Sequence, residues 1–190
     1  SVIDLAIVAE EIAYTSADFY MAFAGGVFCA LNIVRKGSPE QIVRWIPRLL
    51  AGETRMAISI SEPDAGSDVG AMRTSAARKD AGWTINGRKL WCSGAGARNT
   101  LINVYVKTDP KADHRKGMSL FLIDNDAPGL QCRKLDMLGR HCTGTYELQF
   151  DDVRADDDRL VGGANKGWDC VLSGLQVERV MSAAGNVGAA

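Results

Sequence analysis

Ser61, Ser67 and Ser93, together with Gly66 and Trp91, are the residues of this 190-residue chain whose types and spacing suit ligand chemistry. They sit around an apolar run at residues 56–61 that leads into Glu62-Pro63-Asp64-Ala65-Gly66-Ser67-Asp68 and, later, Leu90-Trp91-Cys92-Ser93. Ala65, Gly66 and Ser67 are small enough for a diphosphate to reach main-chain N–H groups, which can form an anion-binding concavity. Ser61 and Ser93 place hydroxyls at two strand ends, and Trp91 adds a flat apolar wall. The set suits a flat, phosphate-bearing cofactor. A strand, a well-capped loop and a hairpin of some β-barrel would show the same residues without any ligand, and both readings stay open at this level.

A second group lies near the C-terminal end. At 100° per residue, Trp168, Val171, Leu172, Leu175, Ser182, Asn186 and Ala189 share one helix face, while Val177, Val180 and Met181 make the other faces apolar. The pattern predicts a helix buried nearly all round, with Arg179 near the middle of its main face and Glu178 toward the edge. Charges in such a place are costly unless paired or used. Either they join a structural ion-pair network or they do chemistry.

The other reactive residue types suggest less. His114 and His141 have no partner pattern and read as structural or exposed. Cys92 reads as a small apolar residue rather than a redox thiol. Asp151, Asp152, Asp156, Asp157 and Asp158 read as a solvated connection between domains, since they lack the Asp/Gly order of a calcium loop. The five cysteines show no C-x-x-C spacing, and with two histidines no metal site is expected. A reducing compartment fits them.

The elements that must position these groups are legible in part. The hydrophobic share of 46% can build a sizeable core, and a net charge of −1 with no basic run speaks against nucleic-acid or polyanion binding. No uninterrupted run of 18 apolar residues suggests a membrane span, and no signal peptide is visible. The chain opens without methionine inside one helical pattern and stops inside another, which reads as truncation. Ser1 is a plausible N-cap for a first helix. A second is predicted over residues 18–36, weakened by Gly25-Gly26 at about 1 kcal/mol per glycine. Ser38-Pro39-Glu40-Gln41 carries a serine N-cap, an N1 proline and a capping-box glutamine. The helix after it has Ile42, Val43, Ile46, Leu49 and Leu50 spaced for one face, and Gly52 as its stop.

From Arg55 the period changes to that of strands. Asn86-Gly87 between alternating runs predicts a two-residue hairpin over residues 83–91, with both turn residues at positive φ. Further strands are expected at residues 103–108, 118–124, 130–135 and 146–153, which together suggest a closed or nearly closed antiparallel barrel. A last helix is expected from about residue 166.

Five segments together resemble the acyl-CoA dehydrogenases. They are residues 37–41, Ile58-Ser59-Ile60-Ser61-Glu62-Pro63-Asp64-Ala65-Gly66-Ser67-Asp68, residues 85–93, Leu138-Gly139-Arg140 and Phe150-Asp151-Asp152-Val153; Gly167-Trp168 follows in the same order. The resemblance implies a multi-domain α and β protein: the end of an N-terminal helical domain (1–53), a middle antiparallel β-barrel domain (54–160) and the first helix of a C-terminal four-helix domain (161–190). It implies FAD as cofactor, held by Ile58, Ser59, Ile60, Ser61, Gly66, Ser67, Trp91, Cys92 and Ser93. Ser67, Gln176 and Arg179 resemble positions that contact acyl-CoA. Gly174-Leu175-Gln176-Val177-Glu178-Arg179 resembles the context in which a minority of the family carries its catalytic base, making Glu178 the candidate; in most members the base lies in a later segment. Ile58, Asp64, Ser61 and Ser93 depart from the usual family residues, the serines keeping the hydroxyl of a common threonine.

The implied activity is α,β-dehydrogenation of an acyl-CoA thioester, with electron-transferring flavoprotein as acceptor. A homotetramer or dimer is implied, in the bacterial cytoplasm or the mitochondrial matrix. Alternatives are a flavin oxidase or monooxygenase of the same superfamily, and a cofactor-free binding or scaffold relative.

Overall fold

The computed structural model describes residues 1–113 and 115–190, and His114 lies outside the described residues. Three helices come first: α1 (Val2–Thr15), α2 (Ala17–Lys36) and α3 (Pro39–Leu50). Each begins on a serine. Ser1 and Ser38 close capping boxes with Asp4 and Gln41, and Ser16 accepts from the Phe19 N–H, which satisfies first-turn donors that would otherwise be unpaired. The α2 helix runs straight through Gly25-Gly26. It is long and apolar enough to cross a membrane by length and composition alone. Its Tyr20, Ala24, Phe28, Cys29, Asn32 and Ile33 are buried within the protein, while Phe19 and Val34 are exposed. The buried face of α3 is Gln41 and Trp45, while Val43 and Leu50 point outward. Gln41 spends its amide on the carbonyls of Asp158 and Leu160. Arg44, Arg48 and Arg159 stack around the Trp45 indole.

Eight strands follow: β1 (Arg55–Ser59), β2 (Ser75–Lys79), β3 (Gly82–Ser93), β4 (Thr100–Lys107), β5 (Met118–Asp124), β6 (Leu130–Lys134), β7 (Thr145–Asp156) and β8 (Leu160–Val161). They form one sheet in the order β6-β7-β3-β2-β4-β5-β8, with β1 paired to β4. Alternate residues of six strands, including Ala57, Ala76, Ile85, Val104, Phe121 and Phe150, converge on one cluster, so the sheet curls around its own core. The opposite face of β4 and β5, with Leu101, Tyr105, Leu120 and Leu122, packs under α2 and the final helix α4 (Gly167–Ala189). Strands covered on both faces read as near-continuous apolar runs, and residues 101–106, interrupted by the buried Asn103, are such a run.

Two expectations are corrected. Most pairings are antiparallel as predicted, but β1 and β2 both run parallel to β4; side-chain alternation carries no information on strand direction. Asn86-Gly87 is not a hairpin turn either. It sits inside β3 as a bulge against β7, and the real β2–β3 turn is at Asp80-Ala81, with Asp80 at φ 54°. Asn86 exchanges hydrogen bonds with Asp152 of β7. At Gly87 a Cβ would come within 2.6 Å of the Thr74 backbone, whose hydroxyl bridges the N–H and C=O of Arg88. Glycine is required there by close backbone approach rather than by a turn.

The fold class implied by the resemblance, N-terminal helices, a barrel-like sheet and a C-terminal helix, is the one observed. The last helix, however, is buried along one stripe rather than all round. Cys170, Gly174, Val177, Met181 and Gly185 face inward, and Leu172, Val180 and Val187 are exposed. Arg179 lies off that stripe, on the exposed side.

Candidate active site

A cleft of about 720 Å³ opens where α2, α4, β1 and the end of β3 meet. One wall is α2, through Met21, Ala22, Gly25 and Phe28. The facing wall is Ile58 and Ile60, with Ser61 at the end of that run. Period two explains the selection: Ile58 and Ile60 face the cleft, and Ser59 between them turns into the barrel, fully buried.

The end of β3 repeats the pattern. Trp91 and Ser93 line the cleft, whereas Cys92 turns inward and its thiol donates to the Ser59 hydroxyl at 3.4 Å. Burial pushes the Cys92 thiol up to about 11, and its bond to Ser59 and the nearby Lys89 charge oppose this only in part. The side chains of Ser59 and Cys92 therefore face each other inside the barrel and do not join the cleft residues.

Trp91 is the backbone outlier of this group. Its φ is +64°, at a bulge where the register of β3 against β7 slips between Lys89 and Cys92. A bulky residue in the left-handed region costs about 1–2 kcal/mol, and such strain clusters at functional sites. The bulge follows from a competing bond, since the Leu90 N–H leaves β7 to donate to the Ser61 carbonyl at 2.9 Å. The outcome is an indole 56% exposed at the cleft mouth, beside the Ser61 and Ser93 hydroxyls.

The 62–68 loop is held from beneath by a pair that sequence reading missed. Lys89 and Glu62 both appear within the motif segments, but nothing in their spacing shows that they meet. The Lys89 ammonium, fully buried, lies 2.9 Å from a Glu62 oxygen and also donates to the Ile60 carbonyl at 3.0 Å. Glu62 further accepts from the N–H groups of Arg73 and Thr74. Burial raises the Glu62 pKa, but the Lys89 charge and these donors outweigh it, and the carboxyl titrates below its usual range. Burial pulls Lys89 down in spite of Glu62. Above this anchor, Gly66 and Ser67 are exposed and a Cβ on Gly66 would meet nothing within 4 Å, so these two face open space outside the cleft lining, whereas Ala65 turns into the core and is buried. Asp64 and Arg73 approach at 3.9 Å on the surface.

Glu178 lines the cleft on α4, along with Val171, Gly174 and Leu175. Burial raises its pKa, opposed by the charge of neighbouring Arg179, which is the charge acting on it among the described residues. Of the two readings, the ion-pair network with other segments is not seen at Glu178 among the described residues. Gln176 and Arg179 are exposed and lie outside the cleft lining. Beneath α4 at Gly174, Asn32 of α2 donates to the Tyr105 hydroxyl of β4 at 3.0 Å, both residues buried. Neither was singled out from the sequence; Asn32 is a lone polar group in an apolar run, and that was the available signal. Arg140 and Thr143 also line the cleft, on a loop tied to α2 by the Cys142 N–H bond to Asp18. His141 is exposed, its ring bonding the Leu138 carbonyl.

Residues 1–53 match the family model described as acyl-CoA dehydrogenase, N-terminal domain, and residues 57–153 the acyl-CoA dehydrogenase, middle domain. Among curated proteins the chain is similar to 2-methylacyl-CoA dehydrogenase of Solanum tuberosum, 41% identical over 84% of this chain and 39% of that protein. It is also similar to isovaleryl-CoA dehydrogenase of Oryza sativa subsp. japonica, 38% identical over 94% of this chain and 44% of that protein. The chain thus spans under half the length of these curated relatives. Among solved structures, butyryl-CoA dehydrogenase from Megasphaera elsdenii superposes with a TM-score of 0.93 at 28% identity, over 99% of this chain and 49% of that one.

Proposed function

Because the chain belongs to the acyl-CoA dehydrogenase family, we propose that the protein it represents removes the α proton and β hydride of an acyl-CoA thioester, using FAD. Residues 1–53, 54–160 and 161–190 are then the end of the first domain, the middle domain and the opening helix of the last. One observation carries the reading: a carboxyl, Glu178, and a strained, exposed indole, Trp91, line the same cleft.

The donor set suits a flavin. Ile58, Ile60 and Trp91 offer flat apolar contact, and Ser61 and Ser93 offer hydroxyls for its ring edge or ribityl chain. Gly66 and Ser67, on the open loop, are assigned to the diphosphate or the CoA moiety. The main chains of Ser59 and Cys92 complete the two strand ends. FAD, when bound, supplies the acceptor for the β hydride. Glu178 takes the α proton, which the thioester makes acidic, and partial burial keeps the carboxyl basic enough for the task. Gln176 and Arg179 contact the CoA-bearing part of the substrate from the exposed side of α4. The named relatives act on thioesters with different acyl groups, so the proposal is for the acyl-CoA class. Electron-transferring flavoprotein is the proposed acceptor and a homo-oligomer, tetramer or dimer, the proposed assembly. The bacterial cytoplasm is the preferred location over the mitochondrial matrix.

The test is anaerobic mixing of full-length, FAD-loaded protein with acyl-CoA. Bleaching of the flavin, re-oxidation by electron-transferring flavoprotein and little oxygen uptake are expected. Rapid peroxide formation would instead make it an oxidase, and a protein that stays colourless with added FAD would make it a binding relative. Glu178→Gln is expected to retain FAD and lose bleaching; normal bleaching in that variant would remove Glu178 from the role of base.

A further inference from the structure

We propose that Asn32 is a positioning residue for Glu178: its carboxamide oxygen accepts a hydrogen bond from the neutral Glu178 carboxyl, held in place by Tyr105. The role rests on the reading of Glu178 as the base, but the contact itself can be tested without it.

Three observations converge. Asn32 is 1% exposed and lines the cleft, and its Nδ2 is committed to the Tyr105 hydroxyl at 3.0 Å. Its Oδ1 is buried with no hydrogen-bond partner among the described residues. Leaving such an acceptor without a partner is costly, so a partner in the cleft is expected. Gly174 then supplies the opening. A Cβ built there would lie 3.4 Å and 3.5 Å from the two amide atoms of Asn32, so the carboxamide packs directly beneath the α4 backbone at that position.

Gly174 is four residues before Glu178, and helical side chains lean toward the N-terminus over the preceding turn. The turn that Glu178 covers is therefore the one that lacks a side chain and has Asn32 below it. Glu178, Asn32 and Tyr105 line the same cleft, and Tyr105 and Cys29 feel the Glu178 charge.

The titratable and charged groups around Glu178 are Cys29 from α2, Tyr105 from β4 and Arg179 from α4 itself, while Arg55 of β1 and Arg140 and Cys142 of the loop before β7 line the same cleft. Cys29 is buried and its thiol is pushed far up by burial; Tyr105 is likewise raised by burial, so both stay neutral near pH 7. Arg179 favours the carboxylate. Asn32, as an acceptor, favours the acid, the form present once a proton has been taken from substrate.

The measurement is infrared difference spectroscopy on the full-length protein, following the neutral carboxyl C=O band that disappears in Glu178→Gln. Asn32→Leu should move that band to higher frequency and lower its titration midpoint, since the neutral form loses its acceptor. Asn32→Asp should raise the midpoint by like-charge repulsion. Flavin bleaching in Asn32→Leu should fall about tenfold or more with acyl-CoA binding retained. If Asn32→Leu does not fold, Tyr105→Phe, which removes one oxygen, carries the same test with a smaller shift. A band unchanged in both frequency and midpoint across these variants overturns the proposal. An unbleached Glu178→Gln with such an unchanged band would sink Asn32 alone; a shifted band with normal bleaching in Glu178→Gln would uphold the contact and sink the base.

Discussion

The Lys89 ammonium sits 2.9 Å from the Glu62 carboxylate, and both are shut away from solvent under the 62–68 loop. The pair ties the exit of β1 to the middle of β3. Through the bond from Lys89 to the Ile60 carbonyl, it also fixes the backbone that presents Ile60 and Ser61 to the cleft.

Removing one partner should therefore cost more than removing both. Glu62→Gln leaves a buried, uncompensated ammonium, and about 3–5 kcal/mol of stability should go with it. Lys89→Met should cost a similar amount, while the double variant should cost less than either single one. Urea unfolding of the four proteins measures this cycle. Additive losses would show that the two charges do not act as a pair.

Trp91 stores strain that its replacement can reveal. Trp91→Gly and Trp91→Ala lose the same exposed indole, but only glycine takes φ +64° without penalty. The glycine variant should be the more stable by about 1–2 kcal/mol, and both should bind FAD at least tenfold more weakly by equilibrium dialysis if the indole packs on the ring. An alanine variant as stable as the glycine one would mean that the backbone relaxes.

Two helix glycines should answer the same substitution in opposite ways. At Gly26 a Cβ would meet only the tip of Leu49 at 3.8 Å, so Gly26→Ala should raise the stability of α2 by about 0.5–1 kcal/mol. At Gly185 it would strike the Tyr20 ring at 2.7 Å, so Gly185→Ala should destabilise by about 1–3 kcal/mol through overpacking. Thermal melts of the two variants give the comparison directly.

Glu178 is held above its usual carboxylate pKa by burial, with Arg179 opposing. Its folded-state value is thus higher than its unfolded one, so the group withdraws stability as pH rises from the ordinary carboxylate range through the raised value. Glu178→Gln should accordingly gain stability over wild type at pH 8 and show little gain at pH 4. A gain independent of pH would mean that the carboxyl is not shifted.

Much of the frame was readable from the residues. Ser38-Pro39 with Gln41 announced α3, and Met118–Asp124 and the last helix fell where their patterns placed them, because caps and apolar periodicity act over a few residues. The alternation around Ser59 and Cys92 was readable too, and would have turned both side chains inward had period two been applied to the motif. Asn86-Gly87 misled because the same dipeptide serves a turn and a bulge. Which one forms depends on Thr74 and Asp152, 12 and 66 residues away in sequence.

The sequence by itself determined the class of elements, the helix starts and, through five motif segments in order, the family. Only the tertiary structure decided which of those residues share a cleft. It put Trp91 on a strained bulge, buried Lys89 against Glu62, set Arg179 outward, and brought Asn32, bonded to Tyr105, against α4 at the gap left by Gly174. The reason is physical: capping and periodicity are local, whereas buried pairs and close backbone approach depend on which distant segments the sheet and helices bring within a few ångströms.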